Sequence, residues 1–399
     1  MRWAQMEQTG TQQPPLGVEE EFFLVDPETG AAAAAGERVV ARAVALLGDL
    51  VAGELSEYQV EVRTPPCRSL AQLTWHLDRA RRCIAAAAAA EGLGVVASGT
   101  PLLGARTPVP LRADPRYRDG IEEFRALNDS FASCALHVHV QVPDREEAVY
   151  VSNHLRPWLP TLVAMAANSP FWDERDSGYA SWRTLAASRW PVAGPPPYFS
   201  SFQHFVTLTE ALQKSGATLG ERTLYWDVRP CAHLPTVEIR AMDVTADVEE
   251  AAALAVLVRA MVVQALERVR RGDPGPPVSE ALMRAAYWRS ARDGWPGHGL
   301  SPCNGLLVST RQMARELLAY AGPALAEHGE LRSVVAVLRR TAAEGGGAGR
   351  QRAAHRHRAK LQDVVTHLAE HTIRPAKHAA TKKARIRTDR SWIARHAAK

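Results

Sequence analysis

Four segments of the 399-residue chain alternate polar side chains, most of them acidic, imidazole or guanidinium groups, with apolar ones, over residues 17–24, 54–63, 136–142 and 236–242. Residues i and i+2 of a strand share a face, so each segment predicts a strand with one polar and one apolar face. If the four strands lie in one sheet, its polar face gathers Glu19, Glu21, Glu61, His137, His139 and Glu238.

A face so rich in carboxylates requires cations, because like charges at close range repel one another. Oxygen ligands favour Mg²⁺ or Mn²⁺, and histidine is more natural for Mn²⁺ or a mixed site. Three arginines, Arg183, Arg229 and Arg240, suit two-pronged hydrogen bonding to phosphate or to a substrate carboxylate. No P-loop or Rossmann glycine motif follows a predicted strand. Together these features indicate a phosphoryl-transfer site of another kind.

Each feature also has a simpler interpretation when it is taken alone. A run of glutamates is usually a solvated strand edge, and the paired histidines could simply face solvent. Glu238 and Arg240 could form an exposed ion pair. Only the coincidence of all these features on strands favours a shared site.

The elements that would position this face are the four strands and six longer segments with a helical pattern. The helices are predicted over residues 35–50, 68–91, 146–168, 246–271, 309–320 and 350–371. Breaks rich in proline or glycine fall at 191–197, 272–277 and 345–349. We expect a flexible leader at 1–15, one catalytic domain over 16–373 and a basic tail over 374–399.

Charge and composition restrict the class of protein. The net charge is +5, but residues 374–399 hold nine lysines and arginines against Asp389 alone, so the rest of the chain is mildly acidic. A solvated, disordered tail is the favoured interpretation, and nucleic-acid contact through the tail is the alternative.

Arg259 interrupts the longest apolar run, which argues against a membrane span. Five scattered cysteines and a polar start without a secretory signal favour the cytoplasm.

In these segments the sequence resembles the carboxylate–amine ligase family, also called type 2 glutamate–cysteine ligases, distant relatives of glutamine synthetase. The matching segments run in family order and are GVEEEFFLVDPETG (17–30), EVRTPPCRSL (61–70), LHVHVQV (136–142), LPTLVAMAANSPFWDERDSGYASWR (159–183), YWDVRP (225–230) and PTVEIRAMDV (235–244). The resemblance covers about residues 16–350. It implies an α+β fold in which a curved antiparallel β-sheet forms a funnel with helices packed on its outer face.

The resemblance also implies roles for individual residues. The residues that match the metal-binding motifs are Glu19, Glu21, Glu61, His137 and Glu238, with Glu54 as a further ligand. Arg240 matches a phosphate-contacting arginine and, with Glu238, would place ATP. Arg183 and Arg229 would bind a substrate carboxylate or the γ-phosphate.

The implied reaction joins the carboxylate of L-glutamate to an amine, with L-cysteine as one candidate amine, through an acyl phosphate made from ATP with Mg²⁺ or Mn²⁺. Glu54 or Glu57 would accept the amine proton. The alternatives are a metal-dependent hydrolase that uses the same cluster and a nucleotide-binding relative without turnover. The partners would be small amino-acid substrates, and the oligomeric state is open, with a homodimer as one alternative.

Three positions depart from the family pattern. Gln141 follows the H-V-H-V motif and Ala135 precedes it, both where glycine is common. The family turn G-T-H-P is Gly99-Thr100-Pro101 in this chain and lacks the histidine. These departures concern the surroundings of the substrates rather than the residues matched to metals and ATP.

Overall fold

A seven-stranded antiparallel sheet forms the centre of the computed structural model, which describes residues 13–376 except 114 and 131. Its strands are β1 Leu16–Val25, β2 Val51–Gly53, β3 Gln59–Arg63, β4 Gly94–Val96, β5 Ala135–Gln141, β8 Val228–Pro230 and β9 Thr236–Asp243. They run in the order β2-β3-β1-β5-β9-β8, and β4 pairs with the C-terminal end of β1. Two hairpins lie outside the sheet, formed by β6 Phe171–Trp172 with β7 Arg175–Asp176 and by β10 His298–Leu300 with β11 Leu307–Ser309.

Helices make up most of the remaining described chain. Their bounds are α1 Gly36–Leu47, α2 Leu70–Ala89, α3 Pro115–Phe124, α4 Arg145–Leu155, α5 Leu159–Ala166, α6 Trp182–Ala187, α7 Phe202–Lys214, α8 Val248–Val269, α9 Glu280–Asp293, α10 Thr310–Glu327, α11 Leu331–Ala343, α12 Gly346–Arg358 and α13 Leu361–Thr372. The α+β class and the antiparallel sheet predicted from the sequence are confirmed.

The four polar segments are neighbours in this sheet, in the order β3, β1, β5 and β9. Glu19 of β1 lies opposite Arg63 of β3 and His137 of β5. Glu238 of β9 lies opposite His139 of β5 and is also paired with β8. The shared polar face inferred from the period-two pattern is therefore confirmed by the register.

One strand is shorter than its pattern predicted. The segment predicted to be a strand over residues 54–63 is extended only from Gln59, because residues 54–58 form a turn after β2. Glu54 thus reaches the polar face from a turn, and its position does not follow from strand alternation.

The apolar face of the sheet packs under helices. Val18, Val138 and Ile239 are fully or almost fully buried in a core shared with α2 and α8. Helix α8 is buried on most of its circumference, as an apolar central helix must be. Asp247 caps its N-terminus by accepting the Glu249 backbone N–H at 2.8 Å. Burial of one face of the sheet leaves the other face for polar chemistry.

Several helix predictions need correction. The helix predicted over 146–168 is two helices, α4 and α5, which a 3₁₀ turn at Arg156–Trp158 separates, because Pro157 lacks the amide N–H of a continuing helix. The helix predicted over 350–371 is interrupted after Arg358 by Ala359, whose φ is 53°. Helix α12 begins at Gly346, inside the glycine-rich segment 345–349 that was predicted to be a break. Five helices were not predicted, namely α3, α6, α7, α9 and α11, and α10 continues past residue 320.

Within the described residues no helix is both long and apolar enough to cross a membrane. The predicted leader over 1–15 and basic tail over 374–399 lie mostly outside those residues, so their boundaries stay predictions.

Glu20 breaks the apolar face of β1, and its charge is matched by a buried arginine. Arg81 of α2 is 1% exposed and donates from Nε to Glu20 Oε2 at 3.0 Å. Its Nη atoms donate to the carbonyls of Thr245 and Ala246 at 2.9 and 2.8 Å and to that of Thr372 at 3.3 Å. One guanidinium therefore joins β1, α2, the chain after β9 and the end of α13.

We expect Arg81→Ala to lower the free energy of unfolding by about 3–5 kcal/mol, because it leaves the Glu20 carboxylate buried without its partner. Urea unfolding followed by circular dichroism measures the change. Arg145→Ala is the matched control, since the Arg145 side chain is 45% exposed and pairs at the surface with Glu221, whose side chain is 39% exposed, where ion pairs contribute about 0–1 kcal/mol. Equal effects of the two variants would contradict this role for Arg81.

Candidate active site

Two triads of ligand-type side chains lie on the polar face. Glu21, Glu54 and Glu61 form the oxygen triad, and Glu19, His137 and Glu238 form the mixed triad. In each triad, one donor atom from every residue lies within 4.8 Å of the others. The structure therefore brings together all six residues predicted to bind metal, while their role as ligands stays a prediction.

The oxygen triad concentrates negative charge away from water. Burial and the neighbouring charge of Glu61 raise the pKa of Glu21 to about 8, although the Ala135 backbone N–H donates to Glu21 Oε2 at 2.8 Å. Burial and the neighbouring carboxylates also raise the pKa values of Glu54 and, more strongly, Glu61. Without a cation, the protonated form of these carboxyl groups is favoured over the charged form, because neighbouring carboxylates repel one another.

The mixed triad has the opposite electrostatic balance. Burial alone would raise the pKa of Glu19, but hydrogen bonds to His137 and His139 hold it well below the usual range. Burial and the charge of Arg240 lower the pKa of His137 to about 4, which favours the neutral imidazole that a metal ion requires. His137 Nδ1 lies 3.4 Å from Glu19 Oε2.

Two of the predicted arginines hold Glu238. Arg229 Nε donates to Glu238 Oε2 at 3.0 Å, and Arg240 Nη1 pairs with Glu238 Oε1. These charges hold the pKa of Glu238 well below its usual range despite burial. Arg229 Nη1 also donates to the carbonyls of Arg222 and Leu224, so the bonds of Arg229 favour a positioning role. The Arg240 side chain is 22% exposed and remains accessible from the polar face.

The third predicted arginine, Arg183, is fixed by a residue that sequence reasoning missed. Arg183 Nε donates to Asp243 Oδ1 at 2.7 Å, and the Ser181 hydroxyl donates to the same oxygen at 2.9 Å. The Ser169 hydroxyl and the Asn168 backbone N–H donate to Asp243 Oδ2 at 2.7 and 2.8 Å. Asp243 thus ties β9 to two loops. The sequence signal that could have identified Asp243 was its place in the PTVEIRAMDV segment (235–244), which matches the family.

The turn that lacks the family histidine packs against the same carboxylate. A Cβ at Gly99 would lie 2.8 Å from Asp243 Cγ and 2.9 Å from Ser169 Cβ. Glycine is therefore required there by the close approach of the backbone. The departure at Gly99-Thr100-Pro101 lies beside the group that orients Arg183.

His139 belongs to the polar face but to neither triad. Its Nδ1 lies 3.1 Å from Thr236 Oγ1. Burial would lower the pKa of His139, but Glu238, Cys231 and Glu19 raise it to about 10. Burial would raise the pKa of the Cys231 thiol, but His139 and His233 lower it to about 5. Sequence reasoning placed His139 on this face and did not connect Cys231 with it.

The donor chemistry fits the divalent cations that were predicted. The oxygen triad consists of carboxylates, the ligands that Mg²⁺ and Mn²⁺ prefer, and the mixed triad adds one imidazole, which Mn²⁺ accepts readily. Both arginine-bound oxygens of Glu238 keep a further lone pair, because a carboxylate has about four acceptor positions. Arg63 pairs with Glu61 and lies 3.4 Å from Glu19 at the edge of the site, where its side chain is 34% exposed.

Of the two carboxylates suggested as proton acceptors, only Glu54 belongs to a triad. Glu57 Oε2 accepts the Glu37 backbone N–H at 3.0 Å at the start of α1, and Glu57 Oε1 lies 3.7 Å from Arg112. Glu57 therefore binds the N-terminus of α1. Of the two suggested proton acceptors, Glu54 is the one that lies beside the other ligand-type carboxylates.

Comparisons with known proteins agree with this geometry. The model of a family described as glutamate–cysteine ligase family 2 matches residues 15–367. A relative from Saccharopolyspora erythraea, named "Putative glutamate--cysteine ligase 2-1", is 41% identical over 367 residues, which cover 92% of this chain and 96% of the relative.

Two solved structures share the fold. A glutamate–cysteine ligase from Francisella tularensis in complex with AMP gives a TM-score of 0.65 at 12% identity, covering 91% of this chain and 89% of that one. A bifunctional glutathione synthetase from Pasteurella multocida gives 0.62 at 15% identity and covers 91% of this chain. The chain spans about half of that bifunctional protein, 51% of its length.

The raised pKa of Glu21 predicts that the free energy of unfolding of the metal-free protein depends on pH. Between the ordinary value of 4.5 and about 8, the folded protein binds a proton that the unfolded chain has lost. The metal-free protein therefore loses stability as pH rises through that interval. Glu21→Gln keeps an acceptor for the Ala135 N–H without the charge, so its free energy of unfolding should increase relative to the unsubstituted protein as pH rises.

Urea unfolding in a chelator at several pH values between about 5 and about 8 tests this expectation. Glu147→Gln is the control for loss of a carboxylate, because Glu147 forms a surface ion pair with Arg270. A stability difference between Glu21→Gln and the unsubstituted protein that is the same at every pH would contradict the proposed charge crowding.

Proposed function

The chain belongs to glutamate–cysteine ligase family 2, and we propose that it is an ATP-dependent carboxylate–amine ligase. The observation that carries this proposal is the meeting of both ligand triads with Arg240 on one face of the sheet. Hard cation ligands and a guanidinium are the groups that stabilise a transferring phosphoryl group.

The proposed reaction has two balanced steps. A substrate carboxylate oxygen attacks the γ-phosphorus of ATP, the bond to the β-phosphate oxygen breaks, and ADP leaves. The amine nitrogen then attacks the carbonyl carbon of the acyl phosphate, inorganic phosphate leaves with the bonding electrons, and the nitrogen loses a proton. Phosphorylation is required because oxide is a very poor leaving group for direct amide formation.

Arg240 and Arg229 both pair with Glu238 of the mixed triad, and Arg240 is the more exposed of the two. Its exposed part faces the polar surface while its Nη1 pairs with Glu238. In this position it would neutralise charge on the transferring phosphoryl group, a contribution of several kcal/mol, roughly 3–4, at comparable sites. Mg²⁺ or Mn²⁺ held by the two triads would neutralise the β- and γ-phosphates.

Arg183 and Arg229 have different proposed roles. Asp243 accepts from Arg183 Nε, and the Arg240 carbonyl accepts from Arg183 Nη2 at 3.4 Å. Nη1 is the part of the guanidinium proposed to bind a substrate carboxylate or the γ-phosphate. Arg229 holds Glu238 and the carbonyls of the preceding turn. We assign it the positioning of Glu238, and its direct contact with substrate remains the alternative.

The proposed acid substrate is L-glutamate, and L-cysteine is a candidate amine. Glu54 is the candidate acceptor of the amine proton, because it is the member of the oxygen triad that lies outside a strand. Residues 16–373 would form the catalytic domain. The proposed partners are thus small amino acids and ATP.

The direct test is ADP release by the purified protein with ATP and Mg²⁺, across amino acids added singly and in pairs. ADP formed only with a particular acid and amine would support the ligase and identify both substrates. ATP binding without ADP release for any pair would favour the nucleotide-binding relative. Hydrolysis of an amide or ester without ATP would favour the metal-dependent hydrolase and contradict the proposal.

Glu238→Gln should lower kcat by about two to three orders of magnitude, the usual cost of removing one group that stabilises the transferring charge. The variant should keep its circular dichroism spectrum, because glutamine preserves the size of the side chain. Glu147→Gln, which removes a surface carboxylate, should retain full turnover. Near-normal kcat for Glu238→Gln would exclude Glu238 from the reaction.

A further inference from the structure

A third group of ligand-type side chains shares Glu238 with the mixed triad and adds two residues, His139 and Cys231, that have no assigned task in the proposed ligase reaction. A ring nitrogen of His139, the Sγ of Cys231 and a carboxylate oxygen of Glu238 all lie within 4.8 Å of one another. All three residues are buried, with 2%, 6% and 2% of their surfaces exposed. We call this group the thiol triad.

The backbone of the sheet determines the position of each member of the thiol triad. His139 of β5 lies opposite Glu238 of β9 in the sheet. Cys231 directly follows β8, and its backbone N–H donates to the Thr236 carbonyl at 2.8 Å, which closes the connection into β9. The triad is therefore formed by the backbone pairing of three adjacent strands rather than by a mobile loop.

The imidazole of His139 is held by one hydrogen bond, and its other ring nitrogen makes none within the described part of the chain. Its Nδ1 lies 3.1 Å from Thr236 Oγ1, which fixes the plane of the ring. Among the described residues, its buried Nε2 has no partner within hydrogen-bond distance, and Glu19 Oε1 lies 3.7 Å away. A buried ring nitrogen without a partner is costly unless something binds it, and the second nitrogen of a metal-bound histidine is commonly held by a hydrogen bond such as this one.

We propose that His139, Cys231 and Glu238 form a binding site for a thiophilic divalent cation of the Zn²⁺ type. Sulfur, imidazole and carboxylate are the ligands of zinc sites, whereas Mg²⁺ selects oxygen. A thiolate and a carboxylate also balance the two positive charges of the ion. His233 Nδ1 lies 3.7 Å from Cys231 Sγ on an exposed turn and provides a fourth ligand.

The spacing requires only a small side-chain adjustment. Ligands bonded at about 2.0–2.3 Å to a tetrahedral ion lie about 3.5 Å from one another. The present atoms lie within 4.8 Å, so rotation of the Cys231 and Glu238 side chains brings them into range. The strand register need not change.

Occupation of the thiol triad has a consequence for the neighbouring site, because Glu238 belongs to both. An ion between His139 and Cys231 draws the Glu238 carboxylate away from His137 and from Arg240. Thiophilic cations therefore compete with the ions of the mixed triad, and the thiol triad acts as an inhibitory site.

Co²⁺ is the probe for the test, because a cobalt–thiolate bond gives an intense near-ultraviolet charge-transfer absorption that oxygen and nitrogen ligands alone do not give. Co²⁺ is added to the full-length reduced protein without nucleotide, and the absorption spectrum is recorded. The unsubstituted protein should show the band, and added Zn²⁺ should remove it by displacement.

Cys231→Ser should abolish the band, and Cys303→Ser should retain it, since Cys303 is the exposed free thiol of the described chain. Zn²⁺ affinity by calorimetry should fall at least about tenfold in Cys231→Ser. The absence of the band in the unsubstituted protein, or its persistence in Cys231→Ser, would overturn the proposal. Neither outcome depends on turnover, so the result is independent of the proposed ligase activity.

Discussion

Mutual repulsion among buried carboxylates is the constraint on which the rest of this structure depends. Glu21 and Glu61 are directly opposite each other on neighbouring strands, and Glu54 reaches them from a turn. Their raised pKa values show that the fold holds this arrangement against its electrostatic preference. Crowded carboxylates of this kind suit the proposed binding of cations and phosphate. Without a cation, their repulsion lowers the free energy of unfolding.

Rigid supports lie immediately behind the crowded face. Arg81 balances Glu20 on the apolar side of β1 and joins four elements. Asp243 fixes Arg183 to the loops that carry Asn168 and Ser169. Both pairs are buried, so the side chains of the polar face are held by neighbours that are themselves fixed, which the proposed phosphoryl transfer requires.

Strand alternation was sufficient to predict most of the polar face, because a period of two fixes which side chains share a face once one side is buried. It could not place Glu54, which lies in a turn, nor find Cys231, whose contact with His139 depends on the pairing of β8 with β9. Asp243 was missed because its partners are distant in sequence: Arg183 is 60 residues away and Asn168 is 75 residues away. The split of the predicted helix at Pro157 was readable from proline alone.

The family and the geometry together lead to one central claim, that the polar face activates a carboxylate by transferring phosphate to it. The most direct measurement uses the acid substrate with oxygen-18 in its carboxylate and analyses the released phosphate by mass spectrometry. The acyl-phosphate route predicts that one labelled oxygen passes from each carboxylate to phosphate. Unlabelled phosphate, or label in AMP instead, would contradict the account.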